Sequence, residues 1–340
     1  MPPSQTRIAT IGTWGHCVHV LAELATVPQA CLAAHARSLP EDQPDHIRQI
    51  TKKELAPWYD DYHQMLREVR PDVVIISTRI DRINPIAIDA AEAGCHLICE
   101  KPLAITLESL RQLYAACTAN KRQCIAMLGN GQNPAVLAAS QLIQSGQLGE
   151  VVLANARKSY KWGTRPEWFG DRKLYGDTIG WIGIHSLDTI HALTGQDFIS
   201  VAAMESNLVH HERPDCQDNG VLILGLSGGG HASVSFDYLR PAAASTHGDS
   251  WVRIVGSRGV VEASLDHGWC RFVSSDSAER EMPLPAAGSY YRAFLEGISG
   301  GVYPPAEMRR AFMLTRVCLC ARMAAEKKSV EQIPLDAWGI

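Results

Sequence analysis

The 340-residue sequence has no apolar run near the roughly 20 residues that a membrane-spanning helix needs, so no span is expected. It has no CxxC pair either. Its ten cysteines are scattered from Cys17 to Cys320, several inside apolar runs, as Cys95 and Cys99 are. That scatter argues against a disulfide scaffold or a zinc site and for buried, reduced thiols, so no metal is expected. Charge of one sign is missing as well. With 32 Lys and Arg against 36 Asp and Glu, and no long single-sign run, the chain offers no basic face for nucleic acid and no polybasic patch for a membrane surface. The opening stretch, MPPSQTRIATIG, enters a strand-like run without the charged-then-apolar pattern of an export signal. The expectation is a cytoplasmic protein whose partners are small molecules or further copies of itself.

What is present is a globular composition, 46% hydrophobic and 20% charged, on a chain longer than one core usually organises. Two domains are expected, residues 1–128 and 129–340. In the first, residues 7–11, 30–35, 72–77, 96–99 and 124–128 read as short buried strands. They alternate with helical stretches at 15–24 and about 60–69, 85–93 and 106–119. Strands alternating with helices predict a doubly wound parallel sheet of the Rossmann type. After residue 130 the rhythm changes to strand-like runs at 151–160, 199–204, 221–226, 232–238 and 251–255, with two helical stretches near 289–298 and 306–325. Consecutive strands favour an antiparallel sheet, so the second domain reads as α+β on a mainly antiparallel open sheet.

The turn after the first strand is Gly12-Thr13-Trp14-Gly15-His16-Cys17. A dinucleotide loop uses GxGxxG because glycine lets the backbone approach the pyrophosphate at a helix N-terminus. Here Gly12 alone is in register, Trp14 and Cys17 stand at the later glycine positions, and Gly15 is displaced by one. Gly12, Thr13, Trp14, Gly15 and His16 are nevertheless the candidate cofactor loop, a plain strand-turn-helix being the alternative. After the second strand no carboxylate occurs until Glu41, while Arg37 and Ser38 lie where a 2′-phosphate would sit, so NADP is expected ahead of NAD. Ser77 and Thr78, at the end of the third strand, are further cofactor candidates.

Glu100-Lys101-Pro102 closes the strand 96–99, and a lysine there lies in the crevice where parallel sheets bind ligands. With the preceding Ala90-Ala91-Glu92-Ala93-Gly94, the segment Trp58-Tyr59-Asp60-Asp61, the segment Ser145-Gly146-Gln147-Leu148-Gly149 and the helical Gly183-Ile184-His185-Ser186-Leu187-Asp188, it resembles the glucose-fructose oxidoreductase and inositol dehydrogenase (Gfo/Idh/MocA) family over nearly the whole chain. The resemblance implies that Glu100 and Lys101 lie at the cofactor. It also implies that Lys101 donates to the substrate hydroxyl and that His185 is the second catalytic residue. The family stretch ends in Asp-x-Gly-x-His, and this sequence has Trp181 at the aspartate position. Histidine can act as a base alone, but without that carboxylate its orientation is less defined. Trp181 offers a flat face for a sugar ring or is simply core.

The run Lys158-Ser159-Tyr160-Lys161-Trp162-Gly163-Thr164-Arg165-Pro166-Glu167-Trp168 mixes cations and rings, as a pocket for a hydroxylated, even anionic, substrate would. Tyr160, Arg165 and Trp168 therefore join Lys101, Trp181 and His185 as substrate candidates. Asp237 falls on the polar face of a strand and reads as solvated. Three functions stay open: hydride transfer between a sugar or cyclitol hydroxyl carbon and the nicotinamide, a nicotinamide-dependent glycosidase working by transient oxidation and elimination, and a non-catalytic dinucleotide sensor. The open sheet predicts a homo-oligomer, a dimer or tetramer by analogy with the family.

Overall fold

A computed structural model describes residues 5–334 apart from 25, 52–55 and 302–304. Residues 1–4, the start of the opening stretch MPPSQTRIATIG, lie outside the described residues. The chain forms two compact units, one from Met1–Met127 with Ser289–Phe312 and the other from Leu128–Gly288 with Met313–Ile340.

In the first unit β1 (Thr6–Ile11), α1 (Cys17–Leu24), β2 (Ala30–Ala36), α2 (Pro44–Thr51), β3 (Trp58–Tyr59), α3 (Tyr62–Val69), β4 (Val73–Ile76), α4 (Ile80–Glu92), β5 (His96–Cys99), α5 (Leu107–Ala119) and β6 (Cys124–Ala126) follow one another. The strands form one sheet in the order β3-β2-β1-β4-β5-β6, every neighbour parallel. β4 and β5 read VVII and HLIC and are buried throughout, as strands covered on both faces must be. Side chains cap two of the helices: Asp61 accepts from the His63 amide ahead of α3, and Thr106 from the Ser109 amide ahead of α5. α4 begins before Pro85, because Ile80, Ile83, Ile86, Ala87 and Ala90 make a buried stripe that holds the helix through the proline.

The second unit runs through α6 (Pro134–Gln144), β7 (Val151–Tyr160), α7 (Arg172–Tyr175), a π-helical turn (Ile179–Gly183), α8 (Ile184–Thr194), β8 (Phe198–Ser206), β9 (Asn219–Leu226), β10 (His231–Asp237), β11 (Gly248–Gly256), β12 (Gly259–Ser264), β13 (Trp269–Ser274) and β14 (Ser277–Glu281). After them come α9 (Tyr290–Gly300), α10 (Pro305–Lys327) and β15 (Val330–Gln332). The nine-stranded sheet has the order β14-β13-β12-β11-β7-β10-β9-β8-β15. Only β7 and β10 pair parallel; the other neighbours are antiparallel. The fold class is as expected from the sequence.

A single cut after residue 128 does not describe the division, because α9 packs on the first unit. Its Tyr290, Tyr291, Phe294 and Leu295 share one apolar cluster with Ile8, Val20, Val73 and Ile75. The Glu23 carboxylate accepts from the Ser289 hydroxyl and the Tyr291 and Arg292 amides at the start of α9. Among the described residues no helix is long and apolar enough to cross a membrane. All ten cysteines are free, nine of them buried.

Candidate active site

The carboxyl ends of β1, β2, β4 and β5 end level with one another, since Ile11 pairs with Ala36 and Ile76, and Ile76 with Cys99. The sequence candidates Gly12 to His16, Arg37 and Ser38, Ser77 and Thr78, and Glu100 and Lys101 therefore all gather at one edge of the first unit's sheet. This is the edge where open parallel sheets bind ligands, and strand order reverses there between β1 and β4.

Hydrogen bonds lock the four turns together. The Trp14 amide donates to the Ser77 carbonyl at 3.0 Å, and the Ser77 hydroxyl donates to the Trp14 carbonyl at 2.5 Å. Ser38 and Thr78 share a hydroxyl contact of 2.6 Å. His16 gives its backbone N–H at 2.7 Å and its Nδ1 at 2.8 Å to the Glu100 carboxylate. Gly12 and Gly15 carry φ of +83° and +100°, and neither has room for a Cβ. At Gly12 it would stand 2.4 Å from the Ser77 carbonyl oxygen, and at Gly15 2.3 Å from Glu100 Oε2. Gly15, displaced in the linear pattern, thus holds a close backbone approach of its own. Bare backbone at this turn, leading into the N-terminus of α1, fits the pyrophosphate of a dinucleotide.

Glu100 is fully buried and Lys101 is 1% exposed. Burial pushes the Glu100 carboxyl up, but the charge and hydrogen bonds of His16, with the Lys101 ammonium, outweigh it and hold the group below the usual carboxylate range.

Asp42 is the residue the sequence reading passed over. It is 3% exposed and folds back onto the cofactor edge, where it accepts from the Thr13 amide (3.2 Å) and hydroxyl (2.8 Å). Its other oxygen accepts from the Ser38 amide (2.9 Å) and hydroxyl (2.7 Å) and from the Leu39 amide (2.8 Å). Arg37 pairs with Asp60 at 3.3 Å. Both residues on which the 2′-phosphate expectation rests therefore have a carboxylate partner. The only sequence signal for Asp42 was a Ser-x-x-x-Asp spacing, which is too common to single out.

In the second unit His185 stands in the first turn of α8, directly after the π-helical turn that contains Trp181. Such turns are frequent at functional sites. His185 is 7% exposed, and its carbonyl accepts from Asn130 Nδ2 at 3.2 Å and the Thr189 hydroxyl at 2.9 Å, which pins the residue from both sides. Gly183 lets the segment close on β10, since a Cβ there would meet the Phe236 ring at 3.3 Å. Trp181 is 5% exposed, with Phe169 edge-on at 6.0 Å between ring centroids. Two aspartates of the second unit that could be considered for the role missing at 181 are engaged elsewhere. Asp177 accepts from the Gly180 amide and faces Arg322 at 3.5 Å, and Asp237 accepts from the Ser159 hydroxyl and the Leu239 amide.

Tyr160 lies edge-on to His185 at 6.5 Å and tilts against His247 at 5.1 Å. Lys158 Nζ is 4.7 Å from the centre of the Tyr160 ring. Arg165 covers Tyr238 at 4.5 Å and Phe169 at 5.6 Å, and Trp168 stacks obliquely on Phe169 at 4.5 Å. The second unit thus gathers Tyr160 and His185 in one patch, with Arg165 and Trp168 joined through Phe169. Among the described residues no cluster of three or more His, Cys, Asp or Glu side chains is arranged to hold a metal.

Residues 7–129 match the family described as an oxidoreductase family with an NAD-binding Rossmann fold, and residues 136–262 match the GFO/IDH/MocA C-terminal domain. The curated relatives include inositol 2-dehydrogenase of Salmonella paratyphi B, 26% identical over 42% of this chain and 41% of that protein. Levoglucosan dehydrogenase of Pseudarthrobacter phenanthrenivorans is 31% identical over 50% of this chain and 44% of its own length. The chain spans less than half the length of either. A Thermotoga maritima structure described as an oxidoreductase superposes with a TM-score of 0.90 at 31% identity, covering 96% of this chain and all of that one. With a Rossmann unit and a C-terminal unit each matched and the whole architecture shared, the chain belongs to the GFO/IDH/MocA family of oxidoreductases.

Proposed function

We propose that the chain oxidises, reversibly, a hydroxyl-bearing carbon of a sugar or other polyol. The observation that carries this reading is the joining of Gly12 to His16, Ser38, Ser77, Thr78, Glu100 and Lys101 at one edge of a parallel sheet. Bound nicotinamide supplies the hydride acceptor. Lys101, beside Glu100, donates a hydrogen bond to the substrate oxygen and stabilises the negative charge that grows as its proton leaves. His185 accepts that proton, with its backbone fixed by Asn130 and Thr189 in place of the family aspartate. Tyr160, Arg165 and Trp168 hold the polyol, and their accompanying cations favour one that carries a negative charge. Trp181, four residues before His185, offers a flat face for the sugar ring. Ten free thiols suit a reducing cytoplasm.

The cofactor in this proposal is NAD(H) ahead of NADP(H). Asp42 keeps a carboxylate within hydrogen-bond distance of Ser38, and a 2′-phosphate brought to Ser38 would meet that charge. Titrating the protein with each nucleotide and following tryptophan fluorescence is the test. NADH should bind about tenfold or more tightly than NADPH, a difference of about 1.4 kcal/mol. The reverse order would sink the preference, and no binding of either would sink the enzyme reading. With cofactor bound, release of an aglycone without net reduction would point to the elimination chemistry instead. Saturable binding without turnover on a broad sugar panel would point to a sensor.

Homo-oligomerisation through the outer sheet face belongs to the same proposal. Met204, Val221, Ile223 and Val330 are 70, 44, 61 and 64% exposed on adjoining strands, where Met204 pairs with Val221 and Ala202 with both Ile223 and Val330. Such a contiguous apolar face is a docking surface in most proteins. Light scattering should give at least twice the mass of one chain; a monomer at micromolar concentration would refute it.

A further inference from the structure

Lys158 is a lysine on the wrong face of its strand. Alternation along β7 puts Ala154, Ala156 and Lys158 on the buried side. In the sheet Lys158 lies between Phe236 of β10 and Ser250 of β11, and it is 7% exposed. Among the described residues its ammonium meets the Ser250 hydroxyl at 2.5 Å and the face of Tyr160. Lys161 spends one proton on the Ala244 carbonyl, and Arg165 donates to the Lys161 carbonyl. Among the described residues none of these three cations has a carboxylate within ion-pair distance, although surface arginines of the same unit, such as Arg157 and Arg172, do. The nearby Asp266 is exposed and accepts from the Ser250 amide. His247, tilted against Tyr160, feels the excess: burial first, then Arg165, Lys158 and Lys161, lower the pKa of its imidazole.

A buried ammonium with no counter-ion is costly, and further cations beside it add to that cost. An anion arriving from solution would relieve both. We infer that Lys158, with Lys161 and Arg165, forms a subsite for the carboxylate of a sugar acid, one aromatic ring away from His185. The buried ammonium beside the Ser250 hydroxyl suits a carboxylate, which takes one charge-assisted hydrogen bond on each oxygen. This assignment rests on the reading of His185 as the residue that handles the hydroxyl proton. It adds the substrate class, a uronate or aldonate in place of a neutral sugar.

The test uses the full chain with NAD(H) bound, and calorimetric titration of several neutral sugars, their uronates and their phosphate esters. At least one uronate should bind about tenfold or more tightly than its neutral counterpart. Lys158→Met should bring that ratio to about one and raise the thermal midpoint, because it removes the buried charge and keeps the volume. Should Lys158→Met fail to fold, Lys161→Met should still lower the ratio severalfold. Equal binding of charged and neutral sugars across the panel would overturn the inference, as would tightest binding of the phosphate esters, or a lower midpoint in Lys158→Met with the ratio intact. Uronate binding with no hydride transfer on any sugar would leave the subsite standing and refute the proposed activity.

Discussion

Replacing Lys101 with alanine should lower turnover about a hundred- to a thousandfold, the usual cost of removing one donor aimed at a developing oxygen charge. Lys101 is 1% exposed beside the fully buried Glu100, so its side chain is positioned before substrate arrives. Interactions already organised in this way act on the transition state without a reorganisation cost. The loss should therefore fall on the rate of hydride transfer, measured as nicotinamide absorbance at saturating sugar. NADH affinity measured by fluorescence should change only about twofold, well under 1 kcal/mol. Lys101→Met, which keeps the aliphatic volume, should be equally slow, separating the loss of the donor from the loss of packing. Unchanged turnover in either variant would remove Lys101 from the chemistry.

Gly12→Ala should abolish saturable cofactor binding and destabilise the first unit. The φ of +83° by itself costs a side chain about 1–2 kcal/mol. Beyond that, the new Cβ would lie 2.4 Å from the Ser77 carbonyl oxygen and 2.8 Å from the Ser38 hydroxyl, so the turns after β1, β2 and β4 must part. Those turns are held by the Trp14–Ser77, Thr13–Asp42 and Ser38–Thr78 hydrogen bonds, and moving one strand end disturbs all three. A fall in the thermal midpoint of about 5 °C or more is expected at this chain length. Calorimetric NADH titration within the wild-type range would show that the turn does not hold the dinucleotide.

Several features of the site were legible because they are local. Strands such as VVII at β4 and HLIC at β5 are continuous apolar runs, and a strand buried on both faces needs nothing else to be seen. α6, β12 and β13 were also left out of the sequence reading, and several other elements that escaped notice carry weak local signals. β3 is two residues long, and β14 reads SAERE, a polar edge strand that exists only because β13 offers it a partner. α2 begins at a proline, reads PDHIRQIT and is only eight residues long. The two helical stretches at the end of the chain were visible. A stripe of tyrosine, phenylalanine and leucine, however, says only that α9 buries a face, and not that it does so on the first unit.

The sequence by itself determined that the chain has a parallel Rossmann sheet followed by a mainly antiparallel one. It also placed Glu100 and Lys101 at a strand's carboxyl end, since hydrophobic periodicity and strand termini are set by neighbours a few residues apart. Tertiary structure alone decided what each polar side chain faces. Asp42 reaches Thr13 across 29 positions, Glu100 reaches His16 across 84, and Lys158 meets Ser250 across 92. Hydrogen bonds and uncompensated charge depend on which strands become neighbours, and strand order is a property of the whole sheet, which no window of sequence contains.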